Sequence, residues 1–383
     1  LPPILVAWIS KDGGLFPFAT AFAAILGLGL LFWWPLRKDR TDLRFREGFL
    51  IVVLFWTVLS MVGAVPLLLL ESPSLSLIDA LFESMSGLST TGATILTSID
   101  QLPPSILYYR QQLQWLGGMG IIVLAVAVMP MLGIGGMQLY RAETHGPMKE
   151  NRLAPRIAET AKKLWYVYLA LTIACMVSYR VAGMSWFDAL CHAYSTVAIG
   201  GFSTHDDSLA WFDSNAINVV AGVFMLLSGF NFALHYAAFR SRRIQAYFED
   251  PEARVYLVML LGVSLLSVLV LLYTGFFLSL TETIVDGAVQ AISVVTTTGF
   301  ITSEYHLWPS FLPVLLILMS TAGGCAGSTA GGMKVIRIML LFKQGSRETS
   351  RLVHPNAVIP IKLGGKPVQE SVINAVWGFL ALY

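Results

Sequence analysis

Residues 286–301 read DGAVQAISVVTTTGFI. An aspartate leads a mostly apolar run that ends in three threonines and a glycine. The run has about ten residues, and crossing a bilayer takes about 20. The same pattern occurs twice upstream, as DALFESMSGLSTTGAT at 79–94 and DALCHAYSTVAIGGFS at 188–203. Aligned on Asp79, Asp188 and Asp286, each copy has a serine seven residues on (Ser86, Ser195, Ser293) and a glycine thirteen residues on (Gly92, Gly201, Gly299), with no gap. The glycines lie 109 and 98 residues apart. Repetition at one internal register marks a repeated architecture.

The chain around these copies is built for lipid. Of its 383 residues, 56% are hydrophobic and 13% charged, whereas soluble domains carry about a quarter charged residues. Mean hydropathy is +0.69. Uncharged runs of spanning length cover 15–34, 48–70, the first part of 111–140, 214–239, 255–281 and 305–333. A shorter run, 164–179, stops at Arg180, and another begins at Ser371. Two such runs flank each copy of the repeat.

Charge assigns the sides. Twenty-two of the 25 Lys and Arg residues fall in four loops, 37–46, 141–163, 240–254 and 334–366, while the alternate loops 71–110, 183–213 and 281–310 hold only Arg110. The positive-inside rule puts the four basic loops in the cytoplasm. A net charge of +2 offers no field for nucleic acid. Residues 1–14 lack a basic region ahead of an apolar one, so no signal peptide is read there. Cys175, Cys191 and Cys325 are scattered, the six histidines lack ligand spacing, and no convergent His, Asp or Cys set points to an enzyme.

The repeat has a physical reading. Each apolar piece is a short helix entering the membrane from outside, with its Asp in the first turn, where a negative charge suits the helix dipole. The glycine ends the helix and turns the chain back. Non-helical backbone at membrane depth is tolerated only where it lines protein or water. Segments 89–94, 198–203 and 296–301 therefore line something wet, and their carbonyls form a cation site. By register these carbonyls belong to Thr90, Thr91 and Gly92; to Ile199, Gly200 and Gly201; and to Thr297, Thr298 and Gly299. Ile199 shows that a hydroxyl is not needed there, which favours main-chain ligands. The β-branched threonines favour extended backbone, the form expected of these segments. A plainer alternative is a set of amphipathic helices lying on the outer surface. Asp100, Asp206, Asp207, Asp213 and Glu304 make the expected outer mouth acidic, which concentrates cations.

A second feature is STAGGCAGSTAGG at 320–332. Glycines inside a helix cost about 1 kcal/mol each relative to alanine, so Gly323, Gly324, Gly327, Gly331 and Gly332 predict a broken helix. Gly323, Gly327 and Gly331 also fit a GxxxG packing ridge. A phosphate loop is excluded, because Met333 stands where it needs lysine. Lys334 puts a cation just past the break.

The motifs STTGAT (89), AIGGFST (198), TTTGF (296), QWLGGMGIIVLAVAVMPMLGIGGMQLYRAE (114), GGCAGSTAGGMKVIRI (323) and RLVHPNAV (351) make the chain resemble the TrkH/KtrB/HKT superfamily of potassium transporters over essentially its whole length, most closely the bacterial TrkH branch. The resemblance implies an all-α integral membrane fold, with repeated membrane helix–re-entrant pore helix–filter loop–membrane helix units around a pore. Four units are expected and three are complete here. The implied organisation is 1–47 as an additional N-terminal membrane region lacking its first span, 48–140, 141–254 and 255–343 as pore units, and 344–383 as the start of a fourth. A fourth filter loop is expected beyond Tyr383, and the chain is expected to be part of a longer protein.

The implied function is potassium uptake across the bacterial inner membrane, with K+ as the transported ion and no bound cofactor. The glycine-rich segment, with Lys334, is implied to be an intramembrane gate. Implied partners are a cytoplasmic TrkA-type RCK nucleotide-binding ring and a second copy of the membrane subunit, with the lipid bilayer around them. A filter glycine rather than serine in the first unit goes with potassium selectivity in plant relatives. The alternative, a proton- or sodium-coupled symporter, wants ionisable groups inside the spans, and only His235 and Arg180 stand out.

Overall fold

The computed structural model describes residues 1–37, 45–70, 73–128, 153–309 and 311–383. Part of the first basic loop (38–44) and the stretch 129–152, with Arg141, Lys149 and Arg152, lie outside the described residues. Among the described residues, three helices are long and apolar enough to cross a membrane, or four if one sharply bent pair is a single span.

Two compact units divide the chain. The first comprises 1–120, 172–220 and 298–302. In it α1 (Pro2–Ser10) and α2 (Leu15–Leu36) precede α3 (Phe45–Leu68), the short α4 (Leu77–Leu88) and α5 (Pro104–Val128). The sequence reading missed α1, whose nine residues are too few for a span. Small residues let these helices close up, as is usual in membranes. Ser84 donates to the Ser60 carbonyl at 2.8 Å, and an added Cβ on Gly117 would fall 1.7 Å from the Leu88 carbonyl oxygen. Ala64 and Leu67 of α3, Ala80 of α4 and Ile106 of α5 form the core between them. The C-terminal part of α6 (Leu153–Val181) and the short α7 (Trp186–Ala198) complete this unit, joined by a 2.7 Å hydrogen bond between the Tyr179 and Thr196 hydroxyls.

The second unit comprises 121–171, 221–297 and 303–383. Its central pair is α11 (Pro251–Thr274) and α12 (Leu280–Val295). The ends of α11 are set by sequence: Asp250 accepts from the Ala253 amide at 2.8 Å, Pro251 takes the first position, and Gly275 closes the helix at φ 63. These are the preferred start and stop residues. Its 24 residues span about 36 Å, enough for the hydrocarbon core. Tyr256, Leu260 and Leu271 of α11 pack with Ala291 and Val295 of α12 and with Leu312 and Leu316 of α13 (Leu312–Ser320). Farther on, α14 (Val335–Val353) and α15 (Glu370–Leu382) enclose Leu340, Ile373 and Val376, and Arg347 forks onto the Glu370 carboxylate. A two-residue hairpin, β1 (Lys362–Leu363) with β2 (Lys366–Pro367), turns through Gly364 and Gly365, both at positive φ, as such turns require.

Two expected spans are not straight. The run 214–239 is α8 (Asn215–Ser228) and α9 (Phe232–Ser241), bent by 93°. Asn231 starts α9 afresh, its side chain accepting from the Ala233 amide at 2.8 Å. A short α10 (Gln245–Glu249) leads from it to α11. Among the described residues the run 305–333 is α-helical only over α13, after one short turn at Tyr305–Leu307, and no helix runs through 321–334. The packing-ridge reading of its glycines therefore falls away, because a ridge needs a helix.

Candidate functional site: three turned-back loops and a glycine-rich segment

The repeated sequence register is also a backbone register. Eleven residues after each aspartate, Thr90, Ile199 and Thr297 have φ 56, 54 and 68; two residues later Gly92, Gly201 and Gly299 have φ 77, 76 and 85. Three stretches of different sequence thus trace the same path. Thr90 and Thr297 are left-handed rather than extended, the form β-propensity predicts. The left-handed residue closes the helix instead, and the glycine two places on makes a second turn rather than ending it. In the first two loops the amide at the twelfth position donates to the carbonyl of the serine at the seventh (Thr91 to Ser86 and Gly200 to Ser195, both 2.9 Å). This six-residue cap supplies the hydrogen bond that overrides the local preference in these two loops.

The helix starts match in only two copies. Ser76 and Ser185 accept from the amides of Asp79 and Asp188, at 3.2 and 3.0 Å, and donate back to the same carboxylates at 2.7 Å. This is a reciprocal capping arrangement. In the third copy the Thr283 hydroxyl turns back onto the Ser279 carbonyl at 2.8 Å, and α12 begins at Leu280. Asp286 is therefore not in the first turn, which carries Glu282 instead.

In the first unit the loops meet glycine to carbonyl. An added Cβ on Gly92 would lie 2.0 Å from the Gly200 oxygen, and one on Gly201 would lie 2.0 Å from the Thr298 oxygen. The glycine of each of the first two loops thus faces the twelfth-position carbonyl of the next. On Gly299 the same atom would meet nothing within 4 Å among the described residues.

Polar groups that the sequence reading passed over brace these loops. Fully buried Arg110 and Glu83 pair at 2.7 Å. Glu83 also accepts from the Thr94 hydroxyl (3.0 Å) and the Ile95 amide (3.2 Å). Arg110 reaches the Thr94 hydroxyl (2.9 Å) and the Ser203 carbonyl (3.4 Å), and its guanidinium lies 4.2 Å above the Phe202 ring. Gln114, also buried, donates to the Gly200 carbonyl at 2.6 Å and accepts from the Phe202 amide at 3.2 Å. The signal was present in the sequence: a lone outer arginine, and glutamines in an apolar run.

Of the acidic residues expected outside, Asp100 and Asp206 come together, each amide donating to the other's carboxylate at 3.3 Å. Asp207 and Asp213 bracket the short turn Ser208–Phe212, and Glu304 precedes another in the second unit. His205 lies 2.5 Å from Asp100 and 3.6 Å from Asp188, stacked on Trp211. Burial lowers the pKa of His205, but the neighbouring carboxylates of Asp188 and Asp100 outweigh that and hold it above the ordinary value. The attraction is complete below the ordinary histidine range and is lost as pH rises through the raised value. Thermal stability in detergent is expected to fall as pH rises through and above the ordinary histidine range, and to fall less in His205→Ala. Equal losses in the two proteins would show that this cluster does not carry the effect.

In the second unit, 321–334 forms a mostly buried loop stitched to the α8–α9 bend. Cys325 donates to the Gly229 carbonyl (2.8 Å), and Phe232 to that of Gly327 (3.1 Å). The amide of Gly331 donates to the Thr297 hydroxyl at 2.7 Å, so the loop touches the left-handed residue of the third copy. Gly323, Gly327 and Gly332 have positive φ, and Gly324 packs on the Gly229 carbonyl, where a Cβ would be 2.8 Å away. One oxygen of Glu252, on α11, accepts from Ala326 (2.7 Å) and Ile336 (3.2 Å). Lys334 does not reach outward; its ammonium folds onto the carbonyls of Ser328 and Ala330. No group of three or more His, Cys, Asp or Glu able to hold a metal ion occurs among the described residues.

Apolar helices of spanning length, one of them a sharply bent pair, are those of an integral membrane protein. The profile described as "TrkH: Cation transport protein" matches residues 15–383. The chain belongs to the TrkH family. It is 54% identical over 381 residues to the Trk system potassium uptake protein TrkH of Escherichia coli K12, covering 100% of this chain and 79% of that protein. It is 44% identical over 383 residues to TrkG of the same strain, with the same coverage. Among solved structures, the crystal structure of the potassium transporter TrkH from Vibrio parahaemolyticus superimposes with a TM-score of 0.92 at 51% identity, covering 99% of this chain and 78% of that one.

Proposed function

We propose that the chain is the membrane subunit of a potassium uptake system, passing K+ through a channel-like pore whose filter is made of main-chain carbonyls. The observation that carries this reading is the shared backbone trace at Thr90–Gly92, Ile199–Gly201 and Thr297–Gly299, with each glycine of the first two loops packed against a carbonyl of the next. Rings of carbonyls replace the hydration shell of potassium, and close approach of neighbouring loops is what a ring requires. The side of Gly299, which nothing approaches within 4 Å among the described residues, would admit a fourth loop. Relatives at 54% and 44% identity carry potassium uptake in their names.

A coupled symporter is less well supported. His235 is held between the Tyr247 hydroxyl (2.7 Å) and the Leu227 carbonyl (2.8 Å). Arg180 donates to the Met184 carbonyl at 3.2 Å and lies near the Trp186 ring. Both are engaged in structure rather than aimed into a pathway.

The protein would sit in the bacterial inner membrane with its basic loops in the cytoplasm. There α14, α15 and the hairpin would offer a face to a TrkA-type nucleotide-binding ring, with the subunit itself a homodimer. The test is growth of an uptake-deficient strain on limiting potassium, together with rubidium flux into proteoliposomes. Absence of both in protein that is folded and inserted would overturn the reading.

The glycine-rich loop acts as the gate, since it bonds to Thr297 and is itself tied to the α8–α9 bend. Shortening it within 323–331 is expected to raise basal rubidium flux several-fold and weaken regulation. Wild-type flux in a shortened variant would count against the gate.

A further inference from the structure

We propose that Gln114 is a specificity-determining positioning residue, whose amide sets the shape of the second filter loop. This rests on the carbonyl-filter reading above. The Gln114 side chain is fully buried on α5. Its nitrogen holds the Gly200 carbonyl at 2.6 Å, and its oxygen holds the Phe202 amide at 3.2 Å. The two peptide groups so fixed lie on either side of Gly201, which stands at φ 76. One rigid planar group therefore clamps the rotation of the chain at the filter glycine. The Gly200 oxygen is also the atom that faces Gly92, so the same clamp sets the spacing between the first and second loops.

The clamp accounts for a break in the repeat. At the twelfth position the first and third copies have Thr91 and Thr298, and the second has Gly200. A Cβ on Gly200 would lie 2.4 Å from the Gln114 amide carbon and 2.6 Å from both its nitrogen and its oxygen. The second loop is glycine here because the amide occupies the space of a threonine side chain. One turn earlier on α5, Arg110 holds the Ser203 carbonyl and covers the Phe202 ring. The loop is thereby fixed to one helix from Gly200 to Ser203. A loop held this way resists closing onto an ion smaller than the one it fits, so its anchor bears on which ion passes and not only on whether the protein folds.

The test uses two variants of the full chain in proteoliposomes, with Gly92→Ser alongside. Gln114→Leu keeps most of the volume and loses both hydrogen bonds. Gln114→Glu keeps the acceptor for Phe202 and sets an oxygen against the Gly200 carbonyl. Each is expected to lower the ratio of potassium to sodium flux by about tenfold, while rubidium still enters. If one variant fails to fold, the other carries the measurement. Wild-type ratios in the folded Gln114 variants, with a shifted ratio in Gly92→Ser, would overturn the role of Gln114 and leave the filter intact. Wild-type ratios in all three would overturn the filter reading itself.

Discussion

Gly201→Ala is expected to cut rubidium flux by at least about a hundredfold while the protein still reaches the membrane. Two effects combine. At φ 76 an L side chain meets its own backbone, at a cost of about 1–2 kcal/mol. The new carbon would also lie 2.0 Å from the Thr298 oxygen, a backbone atom that moves only if the third loop moves. Overpacking of this kind costs about 1–3 kcal/mol or more, and here the shift falls on the carbonyls proposed to hold the ion. Gly275→Ala, just past the end of α11, is the internal control. Its φ of 63 gives the same kind of local strain, but nothing lies within 4 Å of the added carbon among the described residues, so the loss should be much smaller. Equal losses at the two positions would mean that strain alone matters and that the glycine–carbonyl contact does not. Gly92→Ser, with 2.0 Å to the Gly200 oxygen, should behave like Gly201→Ala in direction, with reduced preference for potassium over sodium.

The second large effect is expected at Arg110. Its guanidinium and the Glu83 carboxylate are both fully buried, 2.7 Å apart. Removing one partner strands the other charge, which typically costs about 3–5 kcal/mol. Arg110→Ala should therefore lower the melting temperature in detergent sharply and reduce the yield of folded protein. Removal of Glu83 should act the same way and also release Thr94 and Ile95. The double variant should melt above either single one, because no unpaired charge remains. Additive losses in the double variant would refute a coupled pair.

How much of this was visible beforehand differs by element. The three loops were legible because a gapless register survives in the letters, and in the first two a hydrogen-bonded cap joins fixed positions of that register. Their backbone conformation was not legible. Thr90 and Ile199 belong to residue types that favour strands, and only the cap from Ser86 and Ser195 explains why they are left-handed. The 93° bend at Gly229–Asn231 sits inside a run whose hydropathy reads as one span. Asn231, a good helix-starting residue, was the available sign. Gln114 and the Arg110–Glu83 pair depend on residues 86 and 27 positions away, and periodicity contains no information on such partners. The glycine-rich segment was ambiguous on local grounds between a ridge and a break. Contacts from Gly229, Glu252 and Thr297, all remote in sequence, decide it.

Thr90, Ile199 and Thr297 carry a further consequence. A β-branched residue in the left-handed region is a costly choice, of order 1–3 kcal/mol each, and this chain makes it three times at one position. A peptide with the sequence of one loop would relax out of this shape, so the conformation exists only while the surrounding helices impose it. Loop geometry and folding equilibrium are then coupled quantities. A packing defect far from the loops, too mild to unfold the protein, would let these residues fall back toward ordinary backbone angles first. Loss of ion discrimination would then precede loss of structure, and selectivity would be the most sensitive gauge of how well the bundle is packed.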